Sequence, residues 1–116
     1  LSFSRRRKLR KIVIPDTVVR IGSDAFSECD ALEEVVIPAS VQVIEPHAFS
    51  ECDNLRKVTF LGTVNSLARN TFSNCDLLKK IIVPEGSIPE YVKALHLPLE
   101  LEDIVVENVK HVVKHE

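Results

Sequence analysis

Cys29, Cys52 and Cys75 recur at intervals of 23 residues, each followed by an aspartate, Asp30, Asp53 and Asp76. Thiols in such a series invite three readings: disulfide, metal site or buried free thiol. Zinc ligands converge tetrahedrally, often from close Cys-x-x-Cys pairs, and this wide, constant interval does not resemble them. Three cysteines also leave one unpaired in any disulfide scheme. Free thiols acting as small core hydrophobes are therefore expected, with the aspartates capping backbone amides of the turn that follows. Calcium along the aspartate series would need oxygens that converge on one point. His111 and His115, with Glu116 beside them, have the spacing of two metal ligands on one helix face, but Val112 stands where a zinc-hydrolase helix carries glutamate. His47 and His96 are isolated. No Ser/His/Asp set, glycine-rich phosphate loop or catalytic carboxylate pair can be assembled, so the expectation is no enzyme, no cofactor and no metal.

Arg5-Arg6-Arg7-Lys8, continued by Arg10 and Lys11, is the one basic run, and no aromatic residue interleaves with it to stack bases. It reads as a solvated edge. A formal net charge of -2 gives no global attraction to nucleic acid or an anionic membrane surface. The 116 residues, 45% hydrophobic and 28% charged, have the make-up of one ordered domain. Apolar runs such as Val35-Val36-Ile37 and Ile81-Ile82-Val83 fall far short of the roughly 20 residues that span a bilayer, so membrane insertion by this chain is not expected. It starts Leu1-Ser2-Phe3 and contains no Met, which reads as a piece excised from a longer protein whose leader or anchor would lie outside it.

The 23-residue interval extends far beyond the cysteines. It relates Leu9, Leu32, Leu55 and Leu78, then Ile12, Val35, Val58 and Ile81, then Ile14, Ile37, Phe60 and Val83. Val18, Val41 and Val64 obey it, as do Ile21, Ile44 and Leu67, Ala25, Ala48 and Thr71, and Phe26, Phe49 and Phe72. Such self-similarity marks a solenoid, in which one unit cannot bury its apolar face and stacked neighbours cover one another. Within a unit, Ile12-Val13-Ile14 is a short strand with two side chains inward and one outward. Pro15, Pro38 and Pro84 end it, with Leu61 at that site in the third unit. Val-x-x-Ile then adds core side chains, and Ala-Phe-Ser-x-Cys-Asp reads as a helical turn on the far side. Stacking puts the strands in a parallel sheet at a spacing of roughly 4.8 Å, beyond the usual ~3.8 Å between Cβ atoms in a disulfide.

The segment Leu9-Arg-Lys-Ile-Val-Ile-Pro-Asp-Thr-Val-Val-Arg-Ile-Gly-Ser-Asp-Ala-Phe-Ser-Glu-Cys29 resembles the BspA-type leucine-rich repeat, Leu-x-x-Ile-x-Ile-Pro-x-x-Val-x-x-Ile-Gly-x-x-Ala-Phe-x-x-Cys. The likeness covers about residues 3–86, with Leu61, Thr71, Glu45 and Ala68 as departures. It implies an α/β-type repeat solenoid: a right-handed superhelix with a parallel β-sheet on one face, short helical or irregular turns opposite, and a C-terminal helix/strand cap. It also implies an extracellular or cell-surface setting, adhesion and protein binding, and it supplies no catalytic residues.

The solenoid is expected over residues 1–106, with whole units 9–31, 32–54 and 55–77, partial units 1–8 and 78–86, and a cap over 87–106. Ser87 and Glu90 form a capping-box pattern with Pro89 in the first turn, so a helix should start near residue 88. Leu97-Pro98 breaks it, and residues 99–106 supply a final strand. For the tail, 107–116, a helix, a frayed end and the beginning of another domain all fit.

The outward sheet positions Val13, Val36, Thr59 and Ile82 make an aliphatic stripe, bordered by Lys11, Glu34, Lys57 and Lys80 and by Arg10, Glu33, Arg56 and Lys79. An extended apolar stripe with a charged rim fits a protein partner; strand propensity alone would also place β-branched residues there. Glycans are disfavoured because Tyr91 is the one Tyr or Trp available as a platform. The expected function is a non-enzymatic, monomeric protein-binding or adhesion module using Lys11, Val13, Glu34, Val36, Lys57, Thr59, Lys80 and Ile82. The alternative is a structural spacer or terminal domain of a larger effector or enzyme.

Overall fold

The computed structural model describes residues 8–96 and 103–108. In chain order its elements are β1 (Lys11–Val13), β2 (Arg20–Ile21), β3 (Glu34–Ile37), β4 (Val43–Ile44), β5 (Lys57–Phe60), β6 (Ser66–Leu67), β7 (Lys80–Pro84), α1 (Ile88–Leu95) and β8 (Val105–Asn108). The odd-numbered strands and β8 form a five-stranded sheet in the order β1-β3-β5-β7-β8, every neighbouring pair parallel. Its register is that of the repeat: Lys11 pairs Glu34, Glu34 pairs Lys57, and Lys57 pairs Lys80. The chain is an α/β repeat solenoid, as the periodicity requires.

Alternation along each strand divides the residues between core and outer face. Val35, Ile37, Val58, Phe60, Ile81 and Val83 are fully buried, and Leu32, Leu55, Ile21, Ile44, Phe26 and Phe49 close the core from the other sides. Phe49 stacks between Phe26 at 4.9 Å and Phe72 at 5.5 Å between ring centroids, so the aromatic ladder is continuous through three coils.

The Val-x-x-Ile segments do more than fill the core. Their ends pair as a second parallel sheet, β2-β4-β6, joined by Arg20 to Val43 and Val43 to Ser66. Two residues per strand are too few to show a two-residue period, so the sequence carries no pattern for this sheet.

The far side is not helical. Asp24, Glu28, His47, Glu51 and Asn74 all have φ between 57° and 64°, the left-handed region, which breaks each turn into kinks. Residues 28, 51 and 74 occupy one repeat position, so the kink is a property of the unit. Inter-coil hydrogen bonds hold it: Phe26 N–H to Ala48 O at 2.7 Å, Phe49 N–H to Thr71 O at 3.0 Å and Glu51 N–H to Ser73 O at 2.8 Å. Of the helical or irregular turns expected opposite the sheet, the irregular form is found and not the helical turn read from Ala-Phe-Ser-x-Cys-Asp; cross-coil bonds act there beside local ones such as Ser27 N–H to Asp24 O at 3.2 Å.

Helix α1 starts at Ile88 with Ser87 as its N-cap, yet the capping box does not form. Ser87 has φ -103° and ψ 0°, outside the extended conformation that aims a capping hydroxyl at the helix amides, and it makes no side-chain cap bond. Its N–H instead donates to Pro84 O at 3.0 Å. Strand β8 follows and pairs Ile81 with Val105 and Ile82 with Val106, an interval of 24 rather than 23 residues. It extends to Asn108, past the expected limit at 106.

Candidate functional site

The eight residues expected to make a binding face come together. Lys11, Glu34, Lys57 and Lys80 form one cross-strand row, and Val13, Val36, Thr59 and Ile82 form the next. Val13 is 63% exposed, while Val36, Thr59 and Ile82 are half-buried by their neighbours in the row. Among the described residues no helix or strand packs over this side of the sheet.

Two features of the face lie beyond the expected set. Val106, paired with Ile82, carries the stripe onto β8. The signal for it was present in Ile104-Val105-Val106, but at a 24-residue offset that a strict 23-residue search passes over. Leu61 is 50% exposed at the end of β5. It replaces the proline of the other units, so it has an N–H to give, and it donates to Ile37 O at 2.9 Å. The sheet ladder is thereby one bond longer in this coil.

Charge on the face is unevenly matched. Glu34 Oε2 lies 3.9 Å from Lys11 Nζ and 3.7 Å from Lys57 Nζ, a carboxylate shared by two cations on adjacent strands. Arg56, Lys79 and Lys80 are exposed and form no ion pair among the described residues. On the second sheet, Arg20 pairs with Glu45 at 3.3 Å.

The cysteines form no disulfide with one another and lie in the core, Cys29 and Cys52 buried and Cys75 half-buried. Two of them are also donors. Cys52 Sγ donates to Phe26 O at 3.1 Å and Cys75 Sγ to Phe49 O at 3.0 Å, each thiol stitching its coil to the preceding phenylalanine carbonyl. Cys75 reaches a cavity of about 330 Å³ lined with Phe72, Leu78, Ile81, Leu95 and Ile104. The aspartates do not act as caps: Asp30, Asp53 and Asp76 are exposed, and the turn is closed by backbone bonds such as Leu32 N–H to Cys29 O at 3.1 Å.

Among the described residues, no group of three or more His, Cys, Asp or Glu is placed to hold a metal ion, and no helix is long and apolar enough to cross a membrane. His111, His115 and Glu116 lie outside the described residues, as does the basic run before Lys8. His47 is exposed, its Nδ1 2.9 Å from Ser50 Oγ and its Nε2 3.2 Å from Asn70 Nδ2, a surface link between coils.

Strands in parallel register every 23 residues, a phenylalanine ladder and irregular far-side turns define a leucine-rich-type solenoid. The sequence matches the family model of the BspA type leucine rich repeat region, in six copies over residues 1–113, and the chain belongs to that family. The match extends past residue 86, and β8 occupies the next strand position after β7. No curated protein matches the chain. Among solved structures it is similar to a leucine rich cell surface protein from Faecalibacterium prausnitzii A2-165, at 20% identity and a TM-score of 0.52, over 91% of this chain and 34% of that one. The chain spans about a third of that protein, and the likeness is one of fold.

Proposed function

We propose that this solenoid is a non-enzymatic binding module that engages a protein partner through the outer face of the five-stranded sheet, in an adhesive role at a cell surface. The observation that carries the reading is the aligned row Val13, Val36, Thr59, Ile82 and Val106, five strands wide and uncovered among the described residues. An apolar stripe with a charged rim has the make-up of a recognition surface. Family membership supports a binding role, and the surface location named for the Faecalibacterium protein supports the setting.

The test replaces Val36 and Thr59 together by Asp. These are cross-strand partners at the centre of the stripe, so two carboxylates there should abolish binding to a partner first captured by cross-linking on cells and then purified. Circular dichroism should be unchanged. Retained affinity of the folded variant removes the sheet face from the reading.

A further inference from the structure

The two halves of the sheet face differ in charge, and that difference indicates what kind of segment fits. Towards β1 and β3 the border is balanced: Arg10 and Lys11 stand against Glu33 and Glu34, with Glu34 drawn to Lys11 at 3.9 Å. Towards β5 and β7 the same two repeat positions hold Arg56, Lys57, Lys79 and Lys80, four cations and no carboxylate. Glu34 reaches one of them, Lys57, at 3.7 Å. Lys57 and Lys80 are direct cross-strand partners, and like charges set opposite one another in a sheet are destabilising. Nothing in the coil demands this, since the equivalent site on β3 holds a glutamate.

Beside the cations runs the apolar row Thr59, Ile82 and Val106. We propose that the β5–β7–β8 half of the face docks an acidic, aliphatic segment of a partner protein, its carboxylates against Arg56, Lys57, Lys79 and Lys80 and its apolar side chains against Thr59, Ile82 and Val106. This rests on the sheet face being the binding surface. A phosphate polyanion fits less well. Among the described residues the face offers no aromatic side chain for bases to stack on, since Phe60 and Tyr91 are buried.

A displayed library of random short peptides, selected on the immobilised full chain at low ionic strength, tests this directly. Enriched peptides should combine Asp or Glu with aliphatic residues. A synthetic copy of one should lose roughly tenfold in affinity on the K79E/K80E variant, the size expected for two reversed rim charges, and less than about twofold on R10E/K11E, where the border is already balanced. K79Q/K80Q gives an intermediate loss and covers the case of a charge-reversed chain that folds poorly. Enrichment of basic or uncharged peptides, or no enrichment, overturns the proposal. So does displacement of the acidic peptide by poly-uridine RNA or phosphatidylserine vesicles that bind more tightly than it does. If V36D/T59D abolishes binding of the purified partner while selection yields no acidic peptides, the sheet-face reading survives and the acidic-segment proposal falls. If acidic peptides bind through Lys79 and Lys80 while V36D/T59D leaves the partner bound, the failure lies with the sheet-face reading.

Discussion

The Tyr91 hydroxyl donates to the Gly62 carbonyl at 2.7 Å, tying the cap helix to the turn that follows β5. The same oxygen accepts the Val64 N–H at 3.3 Å, and the ring packs 4.6 Å from Phe60. One side chain thus closes the third coil and seats α1. Tyr91→Phe keeps the ring and removes both bonds, leaving the Gly62 carbonyl without this partner. Urea denaturation should show a loss of about 1–2 kcal/mol. Burial raises the Tyr91 pKa above its ordinary value, outweighing the Val64 hydrogen bond, which favours the phenolate. The folded state therefore holds this proton more tightly than the unfolded chain does. The hydroxyl's contribution is complete below about pH 10 and declines as pH rises towards the folded value, so the stability gap between wild type and variant should narrow above that point. A gap that widens there contradicts the assignment.

Gly62 and Gly22 should respond to alanine in opposite directions. A Cβ at Gly62 would meet Ala39 Cα and Cβ at 2.7 Å, a contact between neighbouring coils that must be relieved by moving backbone. Gly62→Ala should cost about 1–3 kcal/mol, as overpacking does, and Ala39→Gly should rescue it in part because the Cα clash persists. Nothing lies within 4 Å of a Cβ at Gly22, and its φ is not positive. Gly22→Ala should stabilise by about 0.4–1 kcal/mol through the unfolded chain. Shifts in the urea midpoint at constant slope check both.

These two glycines also show what the sequence made legible. Fixed spacing was enough to align Lys11, Glu34, Lys57 and Lys80 and to place the sheet face from β1 to β7, because in a solenoid the repeat interval is the strand register. Properties of single coils escaped it. The close approach of Gly62 to Ala39 depends on distances between coils, and no spacing rule reports distances. Glu28 and Glu51 adopt left-handed backbone that their side chains do not announce, since Gly or Asn usually marks that region and here Asn74 alone does so. The last strand slipped by one residue: Ile104 lies 23 residues after Ile81, yet Val105 takes the pairing. That coil turns through α1, whose rise per residue differs from that of an irregular turn, so its length is no longer bound to the repeat.

Phe49→Ala should be the most damaging of the ladder substitutions. Its ring is fully buried and stacked on both faces, whereas Phe72 is half-buried, with its outer side towards the 330 Å³ cavity. Removing a buried phenylalanine side chain costs about 3–5 kcal/mol, a large share of the roughly 5–15 kcal/mol that holds a domain folded. Phe72→Ala should cost less, because its ring is already partly exposed. Thermal unfolding that ranks Phe72→Ala as equal to or worse than Phe49→Ala would show that the last coil bears more of the stability than its exposure indicates.

Thiol reactivity should follow position in the cysteine ladder. The neighbouring thiols of Cys29 and Cys75, followed by burial, hold the Cys52 pKa well above the usual thiol range, so the thiolate that reacts with disulfide reagents is scarcely formed there. Cys75 is half-buried and lines the cavity of about 330 Å³. In the native chain a chromogenic disulfide reagent should modify Cys75 first, leave Cys52 untouched until unfolding, and lose its early phase in Cys75→Ser. In strong denaturant all three thiols should react together, because the differences belong to the folded state. Early modification of Cys52 would mean that the coils part at β3–β5 more readily than at the capped end, which the continuous hydrogen-bond ladder between Phe26, Ala48, Phe49 and Thr71 argues against.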